Sequence, residues 1–246
     1  MIGLVMAAGR GRRLRPETDR LPKALLPVDG ESTILDIALR NLAAVGIAEV
    51  TVVVGHAAAE VADRVPVLER RHGVALDLVY NDRAEEWNNA YSLWLAREHF
   101  SRGALLVNGD TVHPASVERT LLAARDATEA DLILAIDDVK KLADEEMKVV
   151  LDDRGMMIKI GKRLDPAHAD GEYIGASLIE PRAAAAVASA LEVIWRRDPG
   201  LYYEDGYQHL AARGGTVAAA PIGVVDWVEV DDHTDLRRAR EIAGRC

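Results

Sequence analysis

From residue 2 to residue 136, short apolar runs alternate with amphipathic stretches, and this alternation restricts the fold more than any other feature of the chain. The runs Ile2 to Met6, Val50 to Val54, Asp77 to Tyr80, Ala104 to Val107 and Asp131 to Ile136 read as strands. Helical patterns cover Thr33 to Val45, Ala57 to Arg71, Asn89 to Phe100 and Pro114 to Ala123 between them. Strands that are apolar on both faces must be covered on both, and a helix between two of them is the crossover that lets them run parallel. The pattern predicts a doubly wound, mostly parallel α/β sheet of Rossmann-like type. Ligands in such sheets sit at the carboxyl ends of the strands, which brings the loop after Met6 and the Gly109-Asp110 turn into one crevice.

The rhythm changes after Asp137. Lys148 to Leu151, the turn Asp152-Asp153-Arg154-Gly155 and Met156 to Ile160 predict a hairpin, and Tyr173 to Ile179 predicts a strand returning to the sheet. Residues 138–180 are thus expected to form a small β-hairpin insertion covering the substrate side. Helices are expected at Pro181 to Trp195, Gly206 to Arg213 and Thr234 to Ala243, with a strand within Thr216 to Val225. A chain of 246 residues that is 49% hydrophobic suits one α/β domain, so 1–246 is read as a single domain.

Forty acidic against 30 basic residues leave a net charge of −10, which disfavours nucleic acid and anionic membrane surfaces as partners. An anionic substrate must then be held by local basic groups. The lone Cys246 allows neither an intramolecular disulfide nor a thiolate zinc cluster. With no signal-peptide pattern and no long apolar span, a cytoplasmic location and no membrane association are expected. A homodimer is compatible with the sequence.

Between the first apolar run and the first helical pattern lies Ala7-Ala8-Gly9-Arg10-Gly11-Arg12-Arg13-Leu14-Arg15-Pro16, followed by Pro22-Lys23-Ala24-Leu25-Leu26-Pro27-Val28. Gly9 and Gly11 let the backbone approach an anion, while Arg13, Arg15 and Lys23 bring the positive charge that a triphosphate requires. No Gly-Lys-Ser/Thr closes a P-loop, and Leu14 stands where a dinucleotide fingerprint needs its third glycine, which argues against a nicotinamide-binding oxidoreductase. The segment resembles the signature of the sugar-phosphate nucleotidyltransferases, G-x-G-T/S-R-L-x-P followed by P-K-x-L-x-P-V. Arg12 departs from it, replacing the usual small hydroxyl residue.

That resemblance implies that Arg13 and Lys23 contact phosphate groups as catalytic cations, with Ala7, Ala8, Gly9 and Gly11 at the nucleotide. Asp110, at the tip of a buried strand, is well placed for the nucleotide and for Mg2+, a hard cation that takes a few oxygen ligands plus phosphate and water. The family pairs this aspartate with an acid near the C-terminus, which points to Asp231 before Glu229. Two apart on an extended segment, both side chains face the same way. Asp232 is better suited to capping the last helix.

Asn81 and the segment Trp87-Asn88-Asn89-Ala90-Tyr91-Ser92-Leu93 carry amides and a hydroxyl suited to a nucleobase edge. An N-N-x-x-S-L segment followed by Glu146-Met147-Lys148-Val149, Gly171-Glu172-Tyr173-Ile174-Gly175 and Trp227 to Leu236 is similar to the phosphocholine cytidylyltransferase branch and its phosphonate and inositol-phosphate relatives. The resemblance implies CTP as nucleotide, a small phosphorylated or phosphonate acceptor, Mg2+, and release of pyrophosphate. For the acceptor, Lys148 and Lys162 are candidate phosphate ligands, Glu172 comes from the G-E-Y-I-G block, and Tyr202 and Tyr203 with Glu204 and Asp205 form a candidate aromatic and acidic pocket for a cationic head group. Alternatives are a sugar-1-phosphate nucleotidyltransferase using dTTP, UTP or GTP, and a catalytically silent nucleotide-binding regulator. Nothing indicates a covalent nucleophile, and His56 reads as a solvent-exposed loop histidine.

Overall fold

The computed structural model describes residues 1–246. The strands are β1 Ile2–Ala7, β2 Pro27–Asp29, β3 Ser32–Thr33, β4 Glu49–Val54, β5 Ala75–Tyr80, β6 Ala104–Asn108, β7 Thr111–Val112, β8 Leu132–Asp137, β9 Lys148–Leu151, β10 Met157–Gly161, β11 Gly171–Ile179, β12 Val217–Pro221 and β13 Val228–Glu229. The helices are α1 Ile34–Ala44, α2 Ala58–Ala62, α3 Val65–His72, α4 Asn89–Leu95, α5 Ser116–Ala127, α6 Ala184–Arg197, α7 Tyr203–Ala212 and α8 His233–Ile242.

The main sheet runs β5, β4, β1, β6, β11, β8, β12. β11 lies antiparallel to both β6 and β8, and every other pairing along this path is parallel. The expected hairpin forms from β9 and β10 and joins the sheet where Gly171 pairs Val149. Strand alternation divides the core. Val5 and Ala7 of β1, Val52 and Val54 of β4, and Leu105 and Val107 of β6 face a layer closed by α1, α3 and α5. Ile2 and Leu4, Val53, and Ala104 and Leu106 face the opposite layer, closed by α4, α6 and α7. The central strands β1, β4 and β6 carry long apolar runs because both of their faces are covered, as in a doubly wound sheet.

Two helices differ from the sequence expectation. The pattern over Ala57 to Arg71 breaks into α2 and α3, because Pro66 has no N–H to donate and is tolerated only in a first turn, where α3 places it. The pattern over Asn89 to Phe100 leaves the α-helix at Leu95 and continues as a 3-10 segment, Arg97–Arg102. Two small ribbons were not expected: β2 pairs β3, and β7 pairs β13. A third apolar cluster, including Leu14, Leu26, Ile34, Val112, Val230 and Leu236, joins the glycine loop to the C-terminal helix α8.

Candidate functional site

β6 ends in Asn108, and the chain turns through Gly109 into Asp110. The turn presses against β1. The Gly109 N–H donates to the Met6 carbonyl at 2.9 Å, and a Cβ at Gly109 would stand 2.8 Å from that same oxygen. Only glycine permits this approach. The β7–β13 ribbon then sets Glu229 opposite Thr111, while the Val230 N–H donates to the Asp110 carbonyl at 2.8 Å. Residues more than a hundred positions apart are thereby brought together, and carboxylate oxygens of Asp110, Glu229 and Asp231 all lie within 4.8 Å of one another.

Lys23 balances this negative cluster. Its Nζ donates to Asp110 Oδ2 at 2.9 Å and to Asp231 Oδ1 at 2.8 Å, and the residue is only 9% exposed. Burial opposes the charge of the ammonium, but the two carboxylates outweigh it and raise the pKa above the ordinary lysine value. Arg13 Nη2 reaches Asp231 Oδ2 at 2.5 Å from the opposite side. Burial alone would raise the Asp231 pKa, but Lys23 and Arg13 hold it below the usual range. Glu229 has no such partner. Its carboxyl opens to the cleft, but the surrounding walls displace bulk water, and this desolvation together with the charges of Asp110 and Asp231 pushes it up to about 7. Asp110 Oδ1 is buried without a hydrogen-bond partner. An all-oxygen donor set with one orphaned carboxylate oxygen fits a hard divalent cation. Lys23, expected at the phosphates, spans the two carboxylates in this structure.

A cavity of about 310 Å3 opens above these groups, with Ala8, Gly9 and Arg13 on one side and Trp87, Asn88, Asn89 and Ser92 on another. A Cβ at Gly9 would meet nothing within 4 Å, so the loop backbone is open there. Gly11 faces elsewhere. At φ 66° it holds the left-handed turn before Arg12–Leu14, and a Cβ there would lie 3.2 Å from Cβ of Lys23. Ala7 is core, not cavity lining. Asn81 also lies behind the wall: its Oδ1 accepts from the Arg83 N–H at 2.8 Å, so its Nδ2 donates to Ser92 Oγ at 2.7 Å. Asn88 caps α4 by accepting from the Asn89 N–H and donates from Nδ2 to the Gly200 carbonyl. Asn89 Oδ1 accepts from the Tyr203 N–H. Asn89 Nδ2 and the Ser92 hydroxyl, on residues that line the cavity, thus keep a donor that no protein group takes up.

Several acceptor-side expectations change. Lys148 does not face a ligand: fully buried, its Nζ donates to the carbonyls of Ala143, Asp144 and Glu146 and fastens the strap 138–147. Tyr203 is likewise core, its hydroxyl donating to Asn108 Oδ1 at 2.9 Å with the Tyr173 hydroxyl beside it. Glu172 lines an adjacent cavity of about 700 Å3 and pairs with Lys140 at 2.7 Å. Burial pushes it up to about 7, against the pull of Lys140. Lys162 lines both cavities and lies 5.2 Å from the centre of the Tyr202 ring. Asp232 is the N-cap of α8 and forms a capping box with Asp235, which leaves Asp231 to the cluster. His56 is not an exposed loop residue. Its ring is close to Glu85 and the Thr18 carbonyl, tying the glycine loop to the segment after β5. Asn108, Met147 and Tyr173 also line the first cavity; Met147 and Tyr173 lie in two of the blocks that carry the resemblance, but neither is singled out there as a site residue.

The MobA-like NTP transferase domain profile matches residues 3–200. The chain is 35% identical over 245 residues to the CMP-5'-(3-aminopropyl)phosphonate synthase of Streptomyces rubellomurinus, covering 96% of this chain and 38% of that one. It is 32% identical over 106 residues to the choline-phosphate cytidylyltransferase of Streptococcus pneumoniae, 43% of each chain. The chain thus spans less than half the length of these two relatives in the matched regions. The fold is that of the inositol-1-phosphate CTP transferase from T. maritima, with a TM-score of 0.83 at 24% identity, covering 99% of this chain and 94% of that one. No helix is long and apolar enough to cross a membrane.

Proposed function

The chain belongs to the MobA-like NTP transferase domain family, and from that premise we propose that it is a cytidylyltransferase joining CMP from CTP to a small phosphonate or phosphorylated acceptor. An acceptor oxygen bonds to the α-phosphorus of CTP while the bond from that phosphorus to the β-bridging oxygen breaks, and pyrophosphate leaves with the electron pair. Two anions must meet. At about 4 Å and an effective dielectric near 20, each pair of like charges costs about 4 kcal/mol, so fixed cations rather than a strong base govern the barrier.

The observation that carries this reading is the convergence of Asp110, Glu229 and Asp231 with Lys23 and Arg13 beneath the cavity. Asp110 and Asp231 are the residues that would hold Mg2+, with Glu229 as a further ligand or support. Bound there, the ion neutralises charge on the phosphate oxygens. Lys23 fixes both carboxylates, Arg13 orients Asp231 and presents its guanidinium at the loop, and Lys162 receives the acceptor oxygens. The two donors of the opposite wall, Asn89 Nδ2 and the Ser92 hydroxyl, suit the adjacent N3 and O2 acceptors of cytosine. Uracil, thymine and guanine each carry an N–H within the corresponding edge, which would face a donor. The aminopropylphosphonate and choline-phosphate enzymes it resembles act on acceptors of this kind. We assign the activity to residues 1–246 as one unit, with 138–180 covering the acceptor.

Pyrophosphate release tests the reading, with CTP, UTP, dTTP and GTP each offered with phosphocholine, aminoalkylphosphonates, inositol phosphate and glucose 1-phosphate in Mg2+. Turnover with CTP and a phosphonate or phosphocholine is expected. A preference for dTTP, UTP or GTP with the sugar phosphate would overturn it in favour of a sugar-1-phosphate nucleotidyltransferase. Nucleotide binding without turnover would favour a silent regulator.

A further inference from the structure

Glu204, the second residue of α7, is 5% exposed, and its Oε2 is buried with no hydrogen-bond partner. It lines the cavity above the three carboxylates and also an adjoining one of about 540 Å3. The two cavities share Met147, Lys162, Tyr202 and Glu204, which form the neck between them. A buried acceptor oxygen without a donor is costly, and its persistence in a ligand cavity marks the place of a ligand donor. Of the neighbouring acids, Asp110 and Glu229 belong to the candidate cation cluster, and the others have partners in the chain. Glu172 pairs with Lys140, Asp137 accepts from Trp227 Nε1, Asp205 accepts from the Tyr202 N–H, and Asp231 is held by Lys23 and Arg13.

We propose that Glu204 seats a primary ammonium at the far end of the acceptor, making this site specific for a dipolar substrate with an anionic phosphonate or phosphate end and an amine end. The proposal rests on the cytidylyltransferase reading, and extends it from the reacting end of the acceptor to the other. Lys162 supplies the cation for the anionic end, and Glu204, on the same neck, accepts from the N–H of the cationic end and carries the negative charge when paired with it. A carboxylate oxygen is satisfied by an N–H donor, which a primary ammonium has and a quaternary ammonium lacks. The neck itself offers one aromatic ring, Tyr202, while Trp87 and Tyr173 line only the first cavity and Trp87 is stacked on Trp195. Tyr203 and Tyr207 are packed edge-on or tilted against Tyr173 and each other in the core, and Tyr202 already lies beside Lys162.

The test uses the full chain with CTP and three acceptors: 3-aminopropylphosphonate, its N-trimethyl analogue, and butylphosphonate, in which a methyl group replaces the ammonium. Wild type is expected to favour the primary amine over butylphosphonate by about 10- to 100-fold in kcat/KM, the value of one charge-assisted hydrogen bond. Glu204→Gln should collapse that ratio to near unity with KM for CTP unchanged, while Glu172→Gln keeps it. Equal use of the amine and butyl compounds by wild type, preference for the trimethyl analogue, an unchanged ratio in Glu204→Gln, or its loss only in Glu172→Gln would each overturn the proposal. Calorimetric binding of the same acceptors separates the two readings. Glu204-dependent binding of aminopropylphosphonate without turnover sinks the nucleotidyl transfer and supports the amine site, whereas turnover that ignores the amine sinks the amine site alone.

Discussion

Lys23 carries two obligations at one atom. Its ammonium neutralises Asp110 and Asp231, whose side chains are 27% and 33% exposed, and it sets the charge of the cavity floor. Lys23→Ala is expected to lower kcat/KM by roughly 10²–10³ through loss of an electrostatic stabiliser. The uncompensated carboxylates should also lower Tm, and Mg2+ should recover more of the loss in the variant than it adds to wild type, as thermal scans with and without the ion will read. Asp110→Asn and Asp231→Asn should each reduce Mg2+-dependent turnover sharply, and unchanged activity in both would remove the metal role. Glu204 behaves in the opposite sense. Burial, with Glu229 and Asp205 adding to it and Lys162 opposing, pushes its carboxyl up to about 8. Such a group favours folding below the unfolded value near 4.5 and loses that advantage as pH rises through the folded value. Glu204→Gln should therefore leave Tm unchanged at pH 4 and raise it at pH 8. A fall in Tm at pH 8 would mean that Glu204 is a structural anchor. The resemblance had pointed to Lys23, Arg13, Asp110 and Asp231, whose residue types and spacing stand in the sequence. Side-chain chemistry alone also points to Lys148 and Tyr203 at the acceptor, and it fails there because residue type does not record the direction of a side chain.

At the scale of the element, the helices and main strands follow from periodicity, whereas the short ribbon β7–β13 does not. Two-residue strands have no period to read, and the pairing of Glu229 with Thr111 depends on chain closure over more than a hundred residues. Helix α1 shows what local sequence does supply. Thr33 and Asp36 form a capping box, Thr33 Oγ1 accepting from the Asp36 N–H at 3.2 Å and Asp36 Oδ2 accepting from the Thr33 N–H at 2.9 Å. Asp36 also reaches α3, accepting from Arg71 at 3.0 Å and lying 2.7 Å from His72 Nε2. Its burial works against ionisation, but His72, Thr33 and Arg71 hold it well below the usual carboxylate range. The stabilisation is present above the unfolded aspartate value, about pH 4, and is lost as pH falls through the depressed folded value. Asp36→Asn should cost about 1–3 kcal/mol near neutrality, with the two stability curves converging in acid. Chemical denaturation across that pH range checks both statements.

Across the whole molecule, the parallel sheet holds the glycine loop and Asp110, while the segment after β8 adds Met147, Lys162 and Tyr173 to the cavity lining. The strap 138–147 is joined to the body by Lys148, whose Nζ binds three of its carbonyls, and by Lys140, which bridges Glu146 and Glu172 and lies 5.1 Å from the centre of the Trp227 ring. Lys148→Met should speed limited proteolysis within 138–147 and raise KM for the acceptor several-fold at unchanged KM for CTP. Equal effects on both KM values would place the strap elsewhere in the reaction. The sequence by itself determined the doubly wound sheet, the hairpin after it, and the glycine and basic loop at the strand end, because hydrophobic period and backbone permissiveness are local properties. It also contained the acids and amides of the site. Only the tertiary structure decided which of them face the cavity: Lys148 turned into the strap, Tyr203 into the core, Asn81 behind Ser92, and Glu204 toward the neck. The physical reason is that a polar side chain takes whichever partners the packed chain brings within about 3 Å, and those partners come from residues far away in sequence.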